Sequence, residues 1–221
     1  MRSRDRTPDR PIADPCTGRP EVRHEEDGRA SRWAHRRPEL LSAATDYVLD
    51  NGVSQLTLRP LAGAIGVTIS TLIRQFGSKG ELIEEITRNV NTELLNDLRT
   101  DPELVGVTPV QTLRTLWRRW LDPVTSRHFR LMFELYSLAL QDPSSYKWFI
   151  ESVVADWLSP ITERLVDDGA DRDQARVVAT VVLATMRGLH LDYIATRDAD
   201  RIDAAFELVV ASLAPIENRT S

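Results

Sequence analysis

Residues 57–76, TLRPLAGAIGVTISTLIRQF, read as two short helices joined by a tight turn. Thr57 suits the N-cap of a first helix whose apolar residues Leu58, Leu61, Ala62 and Ile65 recur at three- and four-residue intervals. Gly66 stops that helix, because glycine enters the left-handed conformation that turns a chain out of a helix. Thr68 then caps a second helix that buries Val67, Leu72 and Phe76 and leaves Thr68, Ile69, Ser70, Thr71, Arg74 and Gln75 facing outward. Short hydroxyls beside an arginine and a glutamine suit a helix lying in the DNA major groove, where small side chains allow close approach and polar ones meet base edges and phosphates. An ordinary helical hairpin with a polar face has the same pattern, so the flanks decide between them.

Upstream, Pro38 and Glu39 suit a helix start, Leu41, Ala44, Val48 and Leu49 give that helix a buried stripe, and Gly52 ends it. Downstream, Ser78 with Glu81 reads as a capping box opening a long helix, whose Leu82, Ile86, Val90, Leu94 and Leu98 form one apolar edge. From about Arg36 to Leu82 the chain resembles the DNA-binding half of the TetR (tetracycline repressor) family. The likeness rests on T-x-R-x-L-A at Thr57, Arg59, Leu61 and Ala62, G-V-T at residues 66–68, and F-x-S-K at Phe76, Ser78 and Lys79. Three positions depart from it: Ile73 where the family usually has a phosphate-contacting tyrosine, Gln75 where His or Tyr is common, and Gly80 where an acidic residue usually follows the lysine. The resemblance implies DNA contacts from Arg37, Thr57, Arg59, Thr68, Ile69, Ser70, Thr71, Arg74, Gln75 and Lys79, with Arg59 and Lys79 on phosphates and Ser70 and Thr71 near bases.

Charge agrees once it is resolved along the chain. The formal net charge is −5, but residues 29–90 carry +2 while residues 1–28 and 91–221 are both negative. DNA binding depends on such a local basic face rather than on the global balance. With 42% hydrophobic and 28% charged residues the composition is that of a globular protein. The longest apolar run, residues 177–186, is cut by Arg187 and reads as a buried helix rather than a membrane span. The N-terminus has no apolar stretch behind its arginines, and Cys16 stands alone, so the expected compartment is the cytoplasm. Residues 1–30, rich in Arg and Pro, read as a disordered tail.

Beyond Asp101 and Pro102 every segment has helical periodicity, including a second capping box at Thr108 and Gln111. The four histidines lie far apart, without Cys or acidic neighbours at metal-ligand spacing, and neither a phosphate loop nor a nucleophile elbow is present. The expectation is therefore a non-enzyme with no cofactor and no metal. Aromatic residues concentrate between Trp117 and Trp157, where large rings suit a core. In the TetR family this region encloses a small-molecule cavity, which implies ligand contacts from Trp117, Phe133, Tyr136, Trp157, His190 and Tyr193, with Arg187 as a further polar anchor and a small apolar or aromatic effector. The last two helices offer more apolar surface than one small domain need hide, and the family dimerises there. Val178, Val182, Leu189, Ile202, Phe206, Val209 and Leu213 are the expected homodimer contacts.

The expected architecture is all-α: an N-terminal three-helix helix-turn-helix domain (residues 31–90) joined by a long fourth helix to a helical ligand-binding and dimerisation domain (residues 91–221). The expected function is a DNA-binding transcriptional regulator that represses from a palindromic double-stranded operator and responds to a ligand, with no membrane partner. The rival is a helical ligand-binding or interaction protein whose DNA binding is weakened or lost.

Overall fold

The structure, a computed structural model, describes the backbone of residues 23–217 and the side chains of residues 36–96 and 99–212. Most of the 1–30 tail and the Leu213 contact expected from the sequence lie outside the described residues and side chains. The chain divides into two units after Pro38; Arg37 belongs to the first, and the features below concern the second.

The described residues form nine α-helices: α1 (Arg23–Asn51), α2 (Leu58–Ala64), α3 (Ile69–Phe76), α4 (Lys79–Thr100), α5 (Pro109–Trp120), α6 (Pro123–Gln141), α7 (Lys147–Asp167), α8 (Arg172–Thr196) and α9 (Ala199–Glu217). A single 3-10 turn, Pro102–Leu104, follows α4. Helix α1 begins at Arg23, ahead of the expected start near Pro38, which lies inside it. The average composition of residues 1–30 hides this start, because the prolines of that stretch end at Pro20, and residues 21–37 contain one glycine and no helix breaker stronger than that.

The turn between α2 and α3 is built as its sequence requires. Gly66 has φ +70°, the Val67 N–H donates to the Ala62 carbonyl at 2.9 Å and the Gly66 N–H to that of Gly63 at 3.4 Å. These two bonds satisfy carbonyls that the end of α2 leaves open. Both expected capping boxes form, Ser78 with Glu81 at α4 and Thr108 with Gln111 at α5.

Two apolar clusters hold the fold. The first joins Leu40, Ala44, Val48, Leu61, Leu72, Phe76, Leu82 and Ile86 from α1–α4 with Leu131, Leu135, Ala139, Phe149 and Val153 from α6 and α7. The second collects Trp117, Trp120, Phe129, Trp157, Val182, Leu183, Met186, Ile202, Phe206 and Val210. Helices α7 and α8 make the most extensive helix pair. The helix-turn-helix thus rests on α6 and α7 through continuous buried side chains.

Candidate functional site

Helix α3 is amphipathic over only eight residues. Leu72 and Phe76 point into the first cluster, while Ser70, Ile73 and Arg74 are exposed. At its start the Thr68 hydroxyl accepts the Thr71 N–H at 3.1 Å and lies 3.0 Å from the Thr71 hydroxyl. One lone pair of Thr68 is therefore committed to the helix cap. Arg59 on α2 and Lys79 at the first turn of α4 are exposed on either side of this helix in sequence. Thr57 is the N-cap of α2 by position, but its side chain makes no capping bond.

Two outward assignments change. Ile69 is half-buried and packs against the core, because the start of α3 leans onto the apolar layer beneath it. Ile73 takes the outward position with 50% exposure, which adds an apolar group able to meet a thymine methyl. The sequence marked Ile73 as unusual but did not give it a contact. Lys79 stands beside a closed cap. Glu81 accepts the Ser78 N–H at 2.7 Å, and the Ser78 hydroxyl accepts the Glu81 N–H at 3.2 Å, so the first amides of α4 are partly occupied and the lysine's charge is what remains for a phosphate. Arg37 is exposed, on α1 in the other unit.

Behind the first cluster lies a cavity of about 50 Å³. Its wall comes from α4 (Thr87, Val90, Asn91, Leu94), α5 (Trp120), α6 (His128, Phe129, Leu131, Met132, Leu135), α7 (Phe149, Ser152, Val153, Trp157) and α8 (Leu183, Arg187). Asn91 is bonded twice: its amide donates to Asp156 at 2.9 Å, and its oxygen accepts the Trp157 indole N–H at 2.6 Å. Of the expected ligand contacts, Trp157 lies on this wall, as does the expected polar anchor Arg187. Trp117 instead ties α5 to α9, donating to Asp203 at 2.7 Å and stacking on Phe206 at 4.8 Å. Phe133 is half-buried against the second cluster. The Tyr136 hydroxyl accepts from Arg187 at 2.9 Å, and the Tyr193 hydroxyl donates to the Leu121 carbonyl at 3.4 Å.

His190 sits deeper still. It is fully buried, and neither ring nitrogen finds a hydrogen-bond partner among the described residues. Phe129, Tyr193 and Trp117 surround it at ring-centre distances of 4.2, 6.0 and 6.4 Å. Burial, helped by the Arg197 charge, pushes its pKa down from 6.5 to about 4. Among the described residues no group of three or more His, Cys, Asp or Glu is placed to hold a metal ion.

The expected dimer residues also divide. Ile202, Phe206 and Val182 are buried within the protomer at 0%, 2% and 5% exposure, so they belong to its own core and are not free to meet a partner; Val178, Leu189 and Val209 are half-buried. The exposed apolar residues are on the opposite faces: Val177, Val181 and Leu191 on α8, and Leu208 on α9. Ala184, Gly188, Ala204 and Ala211 are exposed at matching helical spacings. By length and hydropathy alone α8 could cross a membrane, and only 28% of its most apolar window is buried. Both observations follow from a helix that is apolar on two sides.

Comparison with known proteins places this geometry. The family described as bacterial regulatory proteins, tetR family, matches residues 40–86. The HTH-type transcriptional repressor KstR2 of Mycolicibacterium smegmatis is 26% identical over 102 residues, covering 46% of this chain and 49% of that protein, so the match spans about half of the relative's length. A transcriptional regulator from Rhodococcus sp. Rha1 superposes with a TM-score of 0.68 at 22% identity, over 81% of this chain and 96% of the other. Salmonella enterica GusR does so with a TM-score of 0.64 at 22% identity, over 80% and 94% of the two chains. The multidrug binding protein EbrR, crystallised with imidazole, gives 0.60 at 23% identity over 81% and 89%. At these identities the structures establish a shared fold.

Proposed function

We propose that the chain, whose residues 40–86 match the tetR family model, is a TetR-family transcriptional regulator that acts as a homodimeric repressor released from a palindromic operator by a small apolar or aromatic effector. The observation that carries this reading is the outer face of α3, where Ser70, Ile73 and Arg74 are exposed above a fully buried inner face. Such a helix can enter the major groove without disturbing the core that holds it. The exposed apolar stripe of Val177, Val181, Leu191 and Leu208 supports pairing of two protomers through α8 and α9, since a four-helix contact would remove it from water. A two-fold dimer reads a two-fold operator. KstR2 is described as a repressor, which supports the same direction of control here, in the cytoplasm and without enzymatic activity.

The cavity supports the ligand response. Thr87, Val90, Asn91 and Leu94 on its wall belong to α4, whose first residue is Lys79. A cavity of about 50 Å³ is far below the roughly 300 Å³ or more of an ordinary ligand site, so an effector must push its walls apart. Displacement of α4 alters the spacing of the two reading helices, and the effector shifts the balance only by binding the released form more tightly. The alternative, a helical ligand-binding protein with weakened DNA binding, is favoured by Ile73, an apolar residue at 50% exposure in the reading face.

Selection of bound fragments from random double-stranded DNA separates the two. The proposal expects an enriched palindrome bound by one dimer, with the mass read by light scattering. No enrichment at low salt would leave the alternative standing.

A further inference from the structure

Arg187 reaches the cavity wall from α8 in the middle of an apolar surface made by Val90, Leu94, Phe129, Leu135, Val153 and Leu183. Its partners are all neutral. One Nη donates to the Tyr136 hydroxyl at 2.9 Å and the other to the Val153 carbonyl at 2.8 Å, and the guanidinium lies 5.9 Å from the Tyr136 ring centre. No carboxylate among the described residues pairs with it; burial lowers its pKa, and Tyr136 opposes that. Three of the wall's other polar groups are committed elsewhere: Asn91 and Ser152 donate to Asp156, and the Thr87 hydroxyl donates to the Ile83 carbonyl; His128 also borders the cavity. A partly buried cation without a counter-ion is costly, and an anion that enters its pocket relieves that cost.

Resting on the proposal that this cavity is the effector site, we infer that the effector is an organic carboxylate, with an apolar or aromatic body among the rings and its single negative end on Arg187. The guanidinium's planar array of N–H groups matches a carboxylate in two-point geometry, and two existing hydrogen bonds leave donors unused. A single cation balances a monoanion. A phosphate ester carries more charge than one guanidinium balances. Tyr136 adds to the site because its hydroxyl, already held by Arg187, can turn its proton toward the same carboxylate.

The test uses the full-length protein with decanoate, 4-phenylbutanoate, their methyl esters and decyl phosphate, read by tryptophan fluorescence and melting temperature. The acids should bind about tenfold or more tightly than their esters, as expected of charge-assisted hydrogen bonds. Arg187→Met should abolish that preference while ester binding stays the same, and Arg187→Lys, which keeps the charge but loses the fork, should keep part of it. Equal affinity of acid and ester for the unaltered protein, a comparison that needs no variant to fold, overturns the carboxylate while leaving an apolar effector site intact. Tighter binding of decyl phosphate than of decanoate overturns it as well. If no probe binds, the effector-site reading fails and the carboxylate falls with it.

Discussion

The carboxylate of Glu134 occupies the space that a side chain on Gly52 would need. A Cβ at Gly52 would lie 2.7 Å from Glu134 Oε1, while Oε2 accepts the Val53 N–H at 2.7 Å and the Ser54 N–H at 3.1 Å. Arg127 pairs with Asp50 at 2.6 Å, and Arg130 donates to the Leu49 carbonyl. One face of α6 therefore clamps the turn that leads from α1 into the helix-turn-helix.

This contact predicts a coupling that can be measured by urea unfolding. Gly52→Ala should cost about 2 kcal/mol or more, combining φ +81° with the clash. Glu134→Ala should cost about 1–3 kcal/mol through the stranded amides of Val53 and Ser54. The double variant should lose less than the two together, because removing the carboxylate also removes the clash. Strict additivity would show that the two residues do not meet.

Lys79→Ala should weaken binding to every DNA sequence alike and reduce the slope of log affinity against log salt by about one. Ser70→Ala and Ile73→Ala should instead change which bases are preferred and leave the slope alone. A Lys79 variant with altered sequence preference and an unchanged slope would contradict these roles.

Sedimentation or light scattering should separate the two faces of the last helices. Val181→Glu with Leu208→Glu places charges on the exposed stripe and should give folded monomers with reduced operator affinity. Phe206→Asp, at 2% exposure beneath Trp117, should unfold the protein instead, since an unpaired buried charge costs several kcal/mol. A folded monomer from Phe206→Asp and an intact dimer from the double glutamate variant would reverse the assignment.

His190 gives stability a particular pH dependence. Its pKa is lowered in the fold, from 6.5 to about 4, so between those values the unfolded chain binds more protons and stability falls as pH falls. The contribution is fully present above about pH 6.5 and is lost progressively toward pH 4, amounting to about 3 kcal/mol. Because carboxylate ion pairs also weaken in acid, the measurement is the difference between the unaltered protein and His190→Leu across pH 4–7. Parallel curves would show that His190 titrates normally.

The parts of the molecule that were legible in the sequence depend on local chemistry. Gly66, Thr68, and the capping boxes of Ser78 with Glu81 and Thr108 with Gln111 act within one turn of backbone, so residue type and spacing suffice. The cavity wall was not legible, because Trp117, Trp120 and Trp157 are equally good core residues, and only the packing of α5 against α9 or α7 decides which of them borders a void. Which face of α8 turns inward was not legible for a related reason. Helix α8 is apolar on both Val182 and Val181 sides, so helical periodicity identifies two stripes without saying which one turns inward. Pro38 is compatible with a helix start but does not mark one, since it lies inside α1.

Helix α6 serves two neighbours from different sides. Arg127, Arg130 and Glu134 hold the α1–α2 turn, whereas Phe129, Met132 and Leu135 border the cavity. These sets occupy different positions, so substitutions can accumulate in one while the other is kept. A lineage, or a biosensor designer, can thus reshape the cavity wall without disturbing how the α1–α2 turn is held.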